Sequence, residues 1–278
     1  MTLYKTQRFN EIRTFGVEIE FKGDRGEVAT QMRALGLSVV VVGYTHDVMS
    51  AWKLTTDASA EWELVSPILK GRQGLEDLKR ACQALNVAGA RVDKSCGLHI
   101  HHCINDYSVE DAKSLFATYA KTEKVMDTFV SASRRGSDNR FCQPVANGVN
   151  GTYGNVQEFL NKLRTVKTIQ QLNNFFTTRY LKLNFQSYVK YGTVEFRQHQ
   201  GTIDFTKMYN WILLTQQLVN NAKDRHVSYQ YNPIYWDTMG YFSEVSRMTA
   251  KYGADEELAN VLTWFRQRSK ELATATGR

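Results

Sequence analysis

Residues 14–21, TFGVEIEF, alternate: Phe15, Val17, Ile19 and Phe21 fall on one face of an extended strand, Gly16, Glu18 and Glu20 on the other. The same period of two recurs at 96–104 (CGLHIHHCI), with Leu98, Ile100 and Ile104 on the apolar side and His99, His101 and Cys103 opposite; His102 falls among the aliphatics. Residues 61–65 set Glu61, Glu63 and Val65 against Trp62 and Leu64, and Pro67 stops the strand because it has no N–H for the ladder. In 193–199, Val194 and Phe196 share one face while Glu195, Arg197 and His199 share the other. The tract 180–189 reads as the hairpin partner of that strand, joined through Lys190, Tyr191 and Gly192. Further strands are expected at 38–42, a β-branched run buried on both sides, and at 49–55.

Between these lie stretches with a period near 3.6. Helices are expected at 27–35, at 71–88 with Leu75, Leu78, Ala81, Cys82 and Leu85 inward, and at 108–133, where Ser108 and Asp111 form a capping pair. Residues 156–176 read as one helix, and Asp204 opens another through 221 with Met208, Trp211, Ile212, Leu214 and Leu218 inward. Two amphipathic helices at 241–252 and 255–275 are expected to pack on the sheet, and the Gly/Asn-rich 147–154 reads as a loop.

Composition narrows the class. The 278 residues hold three prolines and no Pro/Gly/Ser-rich tract, so a single domain over 1–278 is expected. The N-terminus lacks an apolar signal core, and the longest apolar run, 39–42, is far too short to span a bilayer. Cys82, Cys96, Cys103 and Cys142 form no C-x-x-C pair, which reads as reduced thiols in a cytoplasm. A net charge of +7 calls for an anionic partner. Within 159–194 stand Lys162, Arg164, Lys167, Arg179, Lys182 and Lys190 with no acid, interleaved with Phe175, Phe176, Tyr180, Tyr188 and Tyr191. Single-stranded nucleic-acid sites use that mixture; a solvated basic face or the mouth of a phosphate site has it too.

Each polar strand face is ambiguous alone. Glu18 and Glu20 repel unless a cation lies between them, yet an exposed strand face tolerates such a pair in water. Glu63, flanked by apolar residues, fits a structural ion pair as well as a ligand. His99 and His101 stand side by side as metal or phosphate ligands do. Arg134, after the third helix, could grip phosphate, although arginines favour helix C-termini anyway. No P-loop and no dinucleotide fingerprint occurs. Taken together, four strand segments present Glu18, Glu20, Glu63, His99, His101, Glu195 and Arg197 on polar faces. A carboxylate-dominated set suits Mg²⁺ or Mn²⁺ better than Zn²⁺, and so many acids require two ions or more. Divalent ions and an arginine on one sheet face are what ATP chemistry requires. A His-carboxylate metal enzyme of cupin type would also use His-x-His, but it places a glutamate three or four residues later, and here the nearest, Glu110, lies nine past His101.

In this order the chain carries FGVEIEF at 15–21, Asp57-x-Ser59, Glu63-Leu-Val-Ser-Pro67, Cys96-Gly-Leu-His-Ile-His101, Ser133-Arg134, Gly192-Thr-Val-Glu-Phe-Arg197 and Gly201-Thr. It thereby resembles the amidoligases of the carboxylate–amine ligase superfamily, with glutamine synthetase and glutamate–cysteine ligase, over about residues 12–215. The helical part from about 236 to 278 lies outside the likeness. The resemblance implies an α+β fold: a glutamine synthetase-like antiparallel sheet forming a funnel, flanked by helices, with ATP entering at one end. It implies a ligase joining a carboxylate and an amine, with Glu18, Glu20, Glu63 and Glu195 as metal-holding acids and one of His99 and His101 as the metal-binding imidazole. Arg197 would steady the transferred phosphoryl group, and Arg134, Asp57 and Ser59 would contact nucleotide or substrate. Such proteins occur in phages, bacteria and fungi, so the expected location is a cytoplasm, that of a host for a phage-encoded member. The competing reading is a nucleic-acid-binding or nucleic-acid-modifying protein built on 159–194.

Overall fold

The structure, a computed structural model, describes residues 13–56, 60–148, 155–223, 226–236 and 256–275. At its centre is β1 (Phe15–Phe21), paired antiparallel on one side with β4 (Trp62–Val65) and on the other with β5 (Gly97–Cys103). With β2 (Val39–Val41), β3 (Trp52–Thr56), β6 (Leu183–Asn184) and β7 (Thr193–Gln200) it makes a seven-stranded sheet, ordered β2-β3-β4-β1-β5-β7-β6. The fold is α+β, and the sheet is mixed rather than wholly antiparallel, because β2 runs parallel to β3.

Alternation decides the two faces. Val17, Ile19, Phe21, Leu54, Leu64, Leu98, Ile100, Val194 and Phe196 are all buried on one of them, each side chain stabilising the fold by about 1.5–3 kcal/mol. Helices cover that face. α1 (Arg25–Ala34) is capped by Asp24, which accepts from the N–H of Gly26 and Glu27. α2 (Gly71–Val87) buries Leu75, Leu78, Ala81, Cys82 and Leu85 as its spacing requires. α3 (Val109–Asp127) opens on the Ser108–Asp111 capping box and lays Tyr119 against Phe196 at 5.9 Å. α4 (Val156–Thr165) and α5 (Ile169–Phe175) replace the single helix expected over 156–176: Val166 is extended, and Thr168 starts a new N-cap on Gln171. A short α6 (Ser187–Tyr191) precedes β7. α7 (Phe205–Ala222), capped by Asp204, reaches the sheet where Thr215 Oγ1 meets His102 Nε2 at 2.8 Å. α8 (Pro233–Trp236) is a single turn, and α9 (Glu256–Ala275) buries Val261, Leu262 and Phe265. Phe265 packs on Trp211 of α7 and on Phe129, which follows α3, so α9 docks against α7. The other C-terminal helix expected, at 241–252, lies outside the described residues.

Three further expectations are corrected. β2 is an edge strand, with Val40 and Val41 exposed rather than buried on both sides. The hairpin of 180–189 with β7 is not one: only Leu183 and Asn184 pair with β7, and α6 then turns the chain. That turn ends at Gly192 with φ 64°, where a Cβ would lie 2.0 Å from Asn105 Oδ1. Finally, the basic aromatic stretch does not form one surface. Lys182 is fully buried, bound to Glu123 at 3.0 Å and Asp127 at 2.7 Å, and Phe159 and Phe176 are core residues.

The four cysteines are free thiols. Among the described residues no helix is long and apolar enough to cross a membrane.

Candidate metal centre

The polar face of the sheet brings the predicted carboxylates and imidazoles together by register alone. Glu18 lies directly opposite His99 across β1–β5, His101 opposite Glu195 across β5–β7, and Glu20 opposite Glu63 across β1–β4. Complementary partners stand opposite each other in the first two pairs. The third sets two carboxylates face to face, which is unfavourable without a cation.

His99 is the hub. Its Nδ1 lies 3.1 Å from Glu18 Oε2 and 3.5 Å from Glu195 Oε1, and its Nε2 lies 3.7 Å from Glu20 Oε1. His101 Nε2 is 3.3 Å from Glu18 Oε1 and 3.9 Å from Glu195 Oε1, while Thr193 Oγ1 contacts its Nδ1 at 3.0 Å. Glu195 is fixed twice more, by Asn184 Nδ2 donating to Oε2 at 2.7 Å and by the guanidinium of Arg197 on Oε1. Glu20 accepts the Gly97 N–H at 2.6 Å. A side chain on Gly97 would displace His99 and Arg134, since a Cβ there would lie 2.9 Å from His99 Nε2 and 3.2 Å from Arg134 Nη2.

Electrostatics follow the geometry. Burial pushes the Glu18 carboxyl up, but hydrogen bonds with His101 and His99 and their attraction outweigh it and hold the group well below the usual carboxylate range. Burial likewise opposes ionisation of Glu195, and Arg197 with the two imidazoles lowers it on balance. His101 is raised: burial disfavours its charge, but Glu18 and Glu195 prevail.

Among the described residues, two groups of donors could each hold a divalent ion. Atoms of Glu18, Glu63 and His99 lie within 4.8 Å of one another, as do atoms of Glu18, His101 and Glu195. Glu18 belongs to both. His101 Nε2 is buried and faces Glu18 Oε1 at 3.3 Å, so one cation could take both as ligands. The donors are mostly hard oxygens with neutral-capable imidazoles, which fits Mg²⁺ or Mn²⁺.

Arg134 reaches the Gly97 corner of this face. It is 3% exposed, donates through Nη2 to Cys96 O, and its Nε has no partner. Asp57 and Ser59, also expected to contact nucleotide or substrate, lie outside the described residues. His102, which the alternation puts among the aliphatics, stays there.

His199 is on the other face from the one expected. A β-bulge intervenes: Phe196 pairs with Ile100 but His199 pairs with Leu98, so β7 spends an extra residue and its parity flips beyond Arg197. The ring is buried against Trp211 of α7 at 5.2 Å, and burial lowers its pKa to about 3. Period-two counting cannot see a bulge. Asn184 and Thr193, which orient Glu195 and His101, were also missed. Thr193 opens the strand two residues before Glu195, on the same parity, and could have been found; the two-residue β6 offers no period by which to find Asn184.

A family model described as "Putative amidoligase enzyme" matches residues 11–219. The chain belongs to this family. No curated protein matches it by sequence. Its fold is similar to that in the crystal structure of a bifunctional glutathione synthetase from Pasteurella multocida, with a TM-score of 0.51 and 12% identity over 97% of this chain. The chain spans about half of that protein, 50% of its length.

Proposed function

We propose that this protein is an ATP-dependent carboxylate–amine ligase that forms an amide or isopeptide bond through an acyl phosphate. What carries the reading is the sharing of Glu18 by two donor groups on one sheet face beside a partly buried Arg197, in a chain of the amidoligase family. In this reading Glu18, Glu20, Glu63, Glu195 and the imidazoles of His99 and His101 hold Mg²⁺ or Mn²⁺, which when bound neutralises the phosphates of ATP. The sheet face serves as the floor of a funnel that ATP enters from one end.

The remaining roles belong to the chain. Arg197 keeps one edge of its guanidinium on Glu195 and has Nε buried without a partner, so donors remain for the equatorial oxygens of a transferred phosphoryl group. The substrate carboxylate attacks the γ-phosphorus in line, the bond to the β-phosphate oxygen breaks, and ADP leaves. The amine nitrogen then attacks the acyl carbon, loses a proton and expels phosphate, leaving the amide. Arg134, buried and short of one partner, is suited to the substrate carboxylate or a phosphate. Holding the reactants in line and stabilising the developing charge together supply most of the acceleration in such chemistry.

The test is ADP release from Mg-ATP against a panel of acids and amines, with mass spectrometry of the products. A product heavier than the amine by the acyl group, formed one-for-one with ADP, is expected. Bound iron or zinc by elemental analysis, with no ADP release for any pair, would instead support a His-carboxylate metal enzyme.

A further inference from the structure

Two of the five basic residues that remain exposed after Lys182 is set aside, Arg179 and Lys190, stand beside the metal face, joined by a pair that the sequence keeps far away. Arg179 stacks over Tyr180, 5.2 Å from its ring centre, and Arg140 over Phe141 at 4.5 Å. Phe141 and Tyr180 meet edge to face at 5.4 Å, so the two stacks form one patch. The patch runs into the site, because Arg197 also lies over Tyr180, at 6.0 Å. Lys190 extends it on the far side, 5.2 Å from the Tyr191 ring, whose edge faces His101 at 6.1 Å. Arg140, Arg179 and Lys190 are exposed, and among the described residues none of the three makes an ion pair.

The strap 43–51 places the other lip. Tyr191 Oη donates to His46 O at 2.9 Å, and Lys53 Nζ, from beneath, donates to Thr45 O and Asp47 O at 2.8 and 3.0 Å. The His46 imidazole is held below its ordinary pKa first by burial, then by Lys190 and Arg179, with Glu18 acting against them. One imidazole thus lies within electrostatic reach of both the rim and the metal-site acid.

Exposed arginines stacked on rings and short of carboxylates are matched by a ligand that offers repeated anions and flat faces. A lone phosphate would engage one guanidinium, and an acidic peptide would leave the stacked planes unused. We propose that the Arg140–Phe141–Arg179–Tyr180 rim, with Lys190, binds a single strand of nucleic acid. The acid or amine joined beside Arg197 is then a group carried on that strand. The second statement rests on the ligase reading; the first does not.

The experiment is anisotropy of a labelled single-stranded oligonucleotide with the full chain, without ATP, across a salt series. The double variant R140A/R179A is expected to lose at least about tenfold in affinity and to flatten the log–log salt slope by about 1.4, at roughly 0.7 per phosphate contact. R72A/K79A, which removes two exposed charges from α2, should leave the slope as it is. E18Q should keep oligonucleotide binding while losing divalent metal, so failure of the ligase reading is separable from failure of this one. The proposal is overturned by any of three results: no oligonucleotide binding, equal losses in both double variants, or rim-dependent binding of inorganic tripolyphosphate alone.

Discussion

Glu18 is the residue on which the site turns, since both donor groups need it. Glu18→Gln keeps the shape of the side chain and removes its charge. It should therefore abolish high-affinity Mn²⁺ binding at both positions, read by titration with the metal. Asn184→Ala acts one step removed: Glu195 keeps Arg197 but loses the amide that holds its second oxygen. Outer partners of metal ligands are typically worth about 10–100-fold in affinity, and a loss of that size is expected here. An unchanged Mn²⁺ affinity would show that Asn184 does not position Glu195 for the metal. At this scale the sequence was informative wherever strand parity is strict. Glu18, Glu20, Glu63, His99, His101, Glu195 and Arg197 were all read from alternation and all meet on one face. Asn184 escaped because a two-residue strand has no period.

Elements carry the next level of information, and there the bulge in β7 matters most. It turns His199 from the polar face of the sheet into the core, where the imidazole stays neutral down to about pH 3. An unfolded histidine protonates near 6.5, so below that pH the unfolded chain binds more protons than the folded one. Stability contributed by this group is complete above pH 6.5 and declines as the pH falls toward 3. The expected slope is about 1 kcal/mol per pH unit, and buried His102 acts in the same direction. Denaturant midpoints measured from pH 7 to 5 should fall, and His199→Gln should flatten the fall; an equal slope in the variant would contradict its buried, neutral state. The turn before β7 was only half legible. Gly192 marks it correctly, but Tyr188 and Val189, read as the end of a strand, wind into α6 instead. Local propensity loses there to the need to reverse the chain beside Asn105.

At the scale of the molecule, the family match ends at residue 219 while the packing continues beyond it. Phe265 of α9 is fully buried between Trp211 and Phe129, so the C-terminal helix completes the core of the matched region. Phe265→Ala should cost about 3–5 kcal/mol in equilibrium unfolding, as large core truncations do. A loss below 1 kcal/mol would mean that the helix is dispensable to that core. A single cooperative transition is expected for the whole chain. The net charge of +7 was legible at once, but its placement was not: one of the six basic residues in 159–194 lies in the core, and the rim draws Arg140 from outside the stretch.

If the polar sheet face is a divalent-metal site that turns over ATP, as proposed, Glu195 is indispensable to that turnover. Mg²⁺-dependent ADP release, compared between wild type and Glu195→Ala with circular dichroism as the check on folding, tests it most directly. Release is expected from the wild type and none from the folded variant. Turnover retained in a folded Glu195→Ala protein would contradict it.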